Sequence, residues 1–296
     1  MVSPTMNRRL HIDTYLMLLC WCFCTLAMDA GAQTQSSGIV TRFSNHRWLV
    51  GVTSQSLYDG YLSSVPYDGS GLCFNLTTLD PSSTGKWPLM LYQQLEGLVA
   101  VASNEASTAS LSRINLLYRL GTLYAFKPVY GVKAALGPLF GAGFGMKQLP
   151  RNVNNPYNMD LSVDVLLGAT LTYDIPIGQR PWRLKADLKS PLVGCFFAPV
   201  RGQSYYEWLT YNQYDEVFHV SSLHNKNALS MLYTLDIPLK SVVLSIGFSG
   251  QMAAYETADM VFKEQGWGIM AGCSLDMAVF SGFPLPNKPG HVRVDR

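Results

Sequence analysis

Charge is scarce in this chain. Asp, Glu, Lys and Arg make up only 14% of 296 residues, against a typical ~25% in soluble globular domains. The net charge is +2, and no basic run is present, so the chain lacks the electrostatic footprint of a nucleic-acid binder. Long apolar runs are missing too. No segment offers about 18 consecutive apolar residues, which excludes a helical membrane protein. Residues 15–26, preceded by Arg8 and Arg9 and followed by Ala30-Gly31-Ala32, are too short to span a bilayer and have the layout of a secretory signal peptide. The expected cleavage lies at the Ala30/Ala32 small-residue site, leaving residues 33–296. Cys20, Cys22 and Cys24 fall in that leader without a small-residue lipobox, so no lipid anchor is expected. Cys73, Cys195 and Cys273 remain, an odd number whose wide spacing matches neither a disulfide framework nor a metal site. No cofactor is expected.

What the chain does have is alternation. From Leu161 to Tyr173 every odd position is apolar, and the positions between include Ser162, Asp164, Gly168, Thr170 and Thr172. Successive side chains of a strand point to opposite faces, so this segment has one apolar and one mostly polar face. It is longer than the usual strand of about 5–6 residues and long enough for a membrane strand of about 9–11. The pattern recurs near residues 48–55, 72–77, 89–101, 113–120, 130–147, 182–189, 229–236, 242–251 and 267–279. The polar faces are rich in Gly and Ser with isolated charges, as a crowded lumen requires, and several apolar faces end in Tyr or Trp.

These observations predict an all-β, antiparallel transmembrane β-barrel of about ten strands. Twelve is the alternative count, because parity switches between Phe218 and Leu229 and either a bulge or an extra hairpin would explain it. The expected division is a leader at 1–32, an N-terminal periplasmic segment at 33–45, the barrel at 46–281 and a periplasmic tail at 282–296. Pro-containing turns at Asp174-Ile175-Pro176 and Asp236-Ile237-Pro238 alternate with longer polar connections at 147–159 and 198–217, the usual asymmetry of such barrels. The implied location is a bacterial outer membrane, with membrane lipid and the envelope's barrel-insertion machinery as partners.

Several segments carry a family resemblance: Leu57-Tyr58-Asp59-Gly60-Tyr61-Leu62-Ser63, Arg151-Asn152-Val153-Asn154-Asn155-Pro156, Ser190-Pro191-Leu192-Val193-Gly194, Gln203-Ser204-Tyr205-Tyr206-Glu207 and Leu235-Asp236-Ile237-Pro238. In this order they resemble a Bacteroidota outer-membrane β-barrel family known as a domain of unknown function, number 3316. Gly60 stands where that family leads one to expect Thr. The resemblance implies fold and location and brings no activity.

Three groups of residues are candidates for function. His219-Val220-Ser221 places an imidazole and a hydroxyl on one strand face, with Asn225 or Asn227 available to orient the ring. It is similar to the His-x-Ser of outer-membrane phospholipase A, but the Asn-Gly-Arg-Ser run of that family is missing. A lipid hydrolase is therefore the enzymatic alternative to an expected non-enzyme. Second, Arg113, Arg119, Lys133, Arg183, Lys185 and Lys189 share the inferred lumen with Glu96, Asp164, Asp187, Asp236 and Asp276. Opposite charges in such numbers favour a salt-bridged plug over an ion-selective channel. Third, Tyr205, Tyr206, Trp208, Tyr211 and Tyr214 crowd one outer loop, where they would bind an extracellular glycan or protein or pin the loop over the barrel mouth. Gly141-Ala142-Gly143-Phe144-Gly145-Met146-Lys147 lacks the ending of a phosphate loop. The remaining alternative is a secreted, soluble β-sandwich binding module.

Overall fold

The computed structural model describes residues 42–81, 88–129, 131–177, 180–200, 202, 204–211, 217–239, 242–257 and 260–279. The expected leader, its cleavage site at Ala30 and Ala32, and the expected tail at 282–296 lie outside these residues. Eleven strands follow one another: β1 (Arg42–Asp59), β2 (Tyr67–Pro81), β3 (Leu89–Ser103), β4 (Ser110–Val129), β5 (Val132–Gln148), β6 (Tyr157–Ile175), β7 (Trp182–Phe197), β8 (Phe218–Ser222), β9 (Lys226–Pro238), β10 (Val243–Thr257) and β11 (Met260–Val279). One short helix, α1 (Tyr205–Tyr211), interrupts the connection from β7 to β8.

Each strand pairs antiparallel with its sequence neighbours except β8 and β9, which both pair with β7, and β1 pairs with β11 from Arg42↔Val279 to Asp59↔Phe262. The sheet is therefore a closed ring with no edge to protect. A two-sheet sandwich is overturned by this connectivity. The strand count resolves in favour of ten positions, because β8 and β9 share one place in the ring. Both face β7: β9 from Arg183↔Asp236 to Lys189↔Ser230, and β8 from Val193↔Ser222 to Phe197↔Phe218. The parity switch is the turn between them. There the Asn225 side chain accepts from the Ser222 N–H (2.9 Å) and donates to the Val220 carbonyl (2.8 Å), a local asparagine staple that stands in for ladder pairing.

The first strand begins at Arg42, ahead of the expected barrel boundary at 46, because its backbone keeps pairing with β11 through residues 42–47, where the apolar alternation has lapsed. The connection read as 147–159 shortens to 149–156, since both flanking strands continue their ladder to Gln148↔Tyr157.

Polarity is inverted relative to a soluble protein. Arg47 is 1% exposed inside the ring, while Ile269 is 65% exposed on its outer wall. Val50, Val52, Ile114, Phe140, Phe144 and Val163 are exposed with Ile269, whereas Asn75, Thr77, Gln94, Arg113, Arg119 and Lys147 are buried. The sequon-like Asn75-Leu76-Thr77 belongs to this interior, where the Thr77 hydroxyl donates to Asn75 Oδ1 at 2.7 Å. At the β1–β11 seam the ladder is too close for side chains: a Cβ on Gly272 would lie 1.8 Å from the Trp48 carbonyl oxygen, and one on Gly51 2.1 Å from that of Ile269.

One end of the ring is capped. Leu57, Tyr61, Leu62, Tyr67, Leu111, Leu149, Phe196, Met260 and Phe262 form an apolar cluster, with Tyr205 and Tyr255 packed against it. At the opposite end β1 begins, β11 ends, and β4 gives way to β5 and β6 to β7.

Candidate functional site

The interior charges form a ladder of ion pairs along the ring axis. Near the end where β1 begins and β11 ends, Asp174 receives both Lys133 (3.0 Å) and Arg183 (2.8 Å). Asp236 faces Lys185 at 3.7 Å and accepts from the Ser245 hydroxyl at 2.6 Å. In the middle, Arg47 pairs with Asp187 at 2.7 Å and donates to Thr234 at 2.8 Å. Arg119 pairs with Glu96 and donates to Gln94 at 2.9 Å. Further toward the cap, Lys226 reaches both oxygens of Asp164 at 2.9 Å. Arg113 joins Glu264 at 2.6 Å.

Under the cap sits a tighter cluster. Lys147, 0% exposed, lies between Asp59 (2.5 Å) and Asp160 (2.7 Å), with its ammonium 4.3 Å from the centroid of Phe262. Asn158 donates to Asp59 Oδ2 at 2.8 Å, and the Tyr205 hydroxyl donates to Asn158 Oδ1 at 3.0 Å while accepting the Met159 N–H at 2.8 Å. Tyr205 also meets Tyr61 edge-on and stacks on Phe197. Through Tyr205, α1 is tied to a buried acid–base cluster. Burial, with help from Asp59 and Glu207, pushes the Tyr61 phenol up to about 12. Burial raises that of Tyr205 as well.

Ten of the eleven expected lumen charges lie where the alternation puts them and find charged or aromatic partners. Asp276 differs: it takes the Asn45 amide at 2.7 Å instead of a cation. Seven charges complete the network beyond the expected set, namely Arg47, Asp59, Lys147, Asp160, Asp174, Lys226 and Glu264. Alternation places Lys147 on the inner face, but its partners come from β1 and β6.

The hydrolase constellation is not assembled. His219 and Ser221 share the inner face, yet His219 Nδ1 meets the Thr257 hydroxyl at 3.1 Å and Ser221 donates to Asp164 at 3.3 Å. Asn225 is spent on the turn described above. His219 packs on Phe196 with centroids 5.7 Å apart, a structural histidine of the barrel wall.

The loop aromatics divide. Tyr205 is the latch of the cap, while Tyr206 and Tyr211 are 77% and 69% exposed. Tyr214 and the side chain of Trp208 lie outside the described residues. Cys73, Cys195 and Cys273 are free thiols. No group of three or more His, Cys, Asp or Glu among the described residues could hold a metal ion.

The model of a family described as "Protein of unknown function (DUF3316)" matches residues 15–282. No curated protein matches the chain. Among solved structures, the chain is similar to the outer membrane protease OmpT from Escherichia coli, with 7% identity and a TM-score of 0.49 over 83% of this chain and 100% of that one. It is also similar to the translocator domain of the autotransporter NalP from Neisseria meningitidis (12% identity, TM-score 0.35, 87% of this chain and 96% of that one). A third is Ail, the attachment invasion locus protein of Yersinia pestis (10% identity, TM-score 0.32, 78% and 99%).

Proposed function

The chain belongs to the DUF3316 family, whose description assigns no activity, and from that premise we propose that it is a plugged, non-enzymatic β-barrel of the bacterial outer membrane. The observation that carries this reading is the inversion of polarity: ion pairs fill the interior while Val, Ile, Phe and Leu cover the wall. In water such a wall would be an aggregation liability, whereas in a bilayer it is the required surface. The capped end faces the exterior, since the longer connections of such barrels do so. Tyr206 and Tyr211 stand exposed there as contact residues for a surface ligand.

The ion-pair ladder argues against an open pore. Unpaired charges this deep are costly, so nearly all are paired, and pairs such as Arg47–Asp187 cross the ring. The test is twofold. Protein refolded in detergent should migrate compactly on an unheated denaturing gel and shift on boiling. In planar bilayers it should give no conductance above the lipid baseline. Free solubility without detergent would end the membrane reading, and stable ion-conducting steps would end the plugged one.

A further inference from the structure

We propose that the lumen holds a binding site for a small carboxylate, centred on Lys189. Lys189 lies two residues from Asp187 on the inner face of β7, and Arg119, Glu96 and Arg47 are the other charged groups near it. The two acids in that set are already engaged. Asp187 Oδ2 takes Arg47 and Oδ1 takes the Thr170 hydroxyl; Glu96 Oε2 takes Arg119 and Oε1 takes Gln251. Three cations therefore share two carboxylates, and Lys189 is the one left over. It is 4% exposed, and its ammonium lies 5.3 Å from the ring centroid of Tyr92. The Tyr92 hydroxyl is itself buried with no hydrogen-bond partner among the described residues. A buried cation without its own counter-charge is costly, and a bound anion removes that cost.

The space for the anion is present. Lys189 borders a cavity of about 170 Å³ with Asn115, Ser162, Ser230 and Gln251; Asp160, Asp164 and Glu264 also line it, already paired with Lys147, Lys226 and Arg113 respectively. At about 30 Å³ per water this equals a handful of waters, and it is below the size of drug-like pockets. The wall beside it is interrupted. Pairing of β7 with β9 stops at Lys189↔Ser230, and pairing with β8 resumes at Val193. Pro191, which has no N–H, stands in the gap and lines the cavity. Unpaired backbone at membrane depth is tolerated where it borders a wet cavity. The carboxylate can therefore come as a free solute or as the head of a single-chain amphiphile.

The proposal rests on the barrel reading, and the gel shift of each sample reports barrel closure separately. The full chain in an uncharged maltoside detergent is melted in sodium acetate, sodium octanoate and sodium chloride at equal ionic strength. The expected result is a saturable rise of the melting midpoint with carboxylate over chloride. Lys189→Met should lose that rise while keeping its gel shift, and Lys189→Arg should keep both. Octanoate acting at tenfold or more lower concentration than acetate identifies a membrane amphiphile, and equal potency identifies a free solute. The proposal is overturned if all three salts give the same midpoint in the wild type, or if Lys189→Met responds to carboxylate as the wild type does.

Discussion

The middle of the lumen and its capped end solve the same problem by opposite means. In the middle, Arg47 reaches Asp187 from β1 to β7 and Arg119 pairs with Glu96 on the next strand, and space is filled by charge and hydrogen bonds. At the cap, Leu57, Tyr61, Leu62, Leu149 and Phe262 fill the space with apolar surface, and the charges are reduced to one cluster around Lys147. The first arrangement is built from strand interiors, so strand geometry alone sets its faces. The second recruits connections such as 60–66 and 149–156, whose positions depend on the rest of the ring. The middle should fail as a unit when a partner is removed, while the cap should loosen without taking the barrel with it.

The largest expected effect is in the middle. Asp187→Ala strands Arg47 as an uncompensated buried charge, at about 3–5 kcal/mol, read as a lower urea midpoint for the gel-shifting form. Pairing it with Arg47→Met should recover most of that loss. Next comes the outer wall, where Val52 is 59% exposed. A lysine there should cost about 2–4 kcal/mol near the bilayer midplane and about 0–1 near the interface. Comparing Val52→Lys with Ser56→Lys under the same denaturation would thus locate the membrane boundary.

A smaller effect is expected at the latch. Tyr205→Phe deletes the hydroxyl that binds Asn158 and Met159, worth about 1–3 kcal/mol with the partners left buried. Protease should then nick the connection at 198–217 while the gel shift persists; loss of the barrel itself would erase the distinction between the two regions. The gentlest perturbation is alkali. With the Tyr61 phenol held at about 12 in the capped state and ionising near ~10 when released, the released state gives up its proton first. Cap stability is then present below pH 10 and lost as pH rises toward 12. Proteolysis of the same connection across that range would detect it.

The same contrast explains what was legible in the sequence. Period-two alternation placed Arg113, Arg119, Lys185 and Lys189 on the inner face because a strand admits only two faces. It could not supply their level along the axis, which depends on the stagger between neighbours, so no pairing was readable. Asp59, Asp160 and Glu264 escaped because they lie near strand ends, where the periodic window runs into a connection. Arg47 escaped because the apolar alternation of the first strand begins only at Trp48. Helix α1 is seven residues long, too short for a helical period to stand out from a loop rich in tyrosine. His219 and Ser221 did share a face, yet face-sharing is weaker than contact, and each found another partner.

The seam between β1 and β11 also sets an order of events. Asn45 on the first strand binds Asp276 on the last, 231 residues later in the chain. Contacts of such separation carry a loop-closure cost and form late. Until β11 arrives, β1 presents an open edge able to pair with any passing strand. Synthesis therefore runs for most of the described strands with the first one waiting for its last partner. A truncation that removes β11 should leave a molecule with two unsatisfied edges, prone to add a copy of itself.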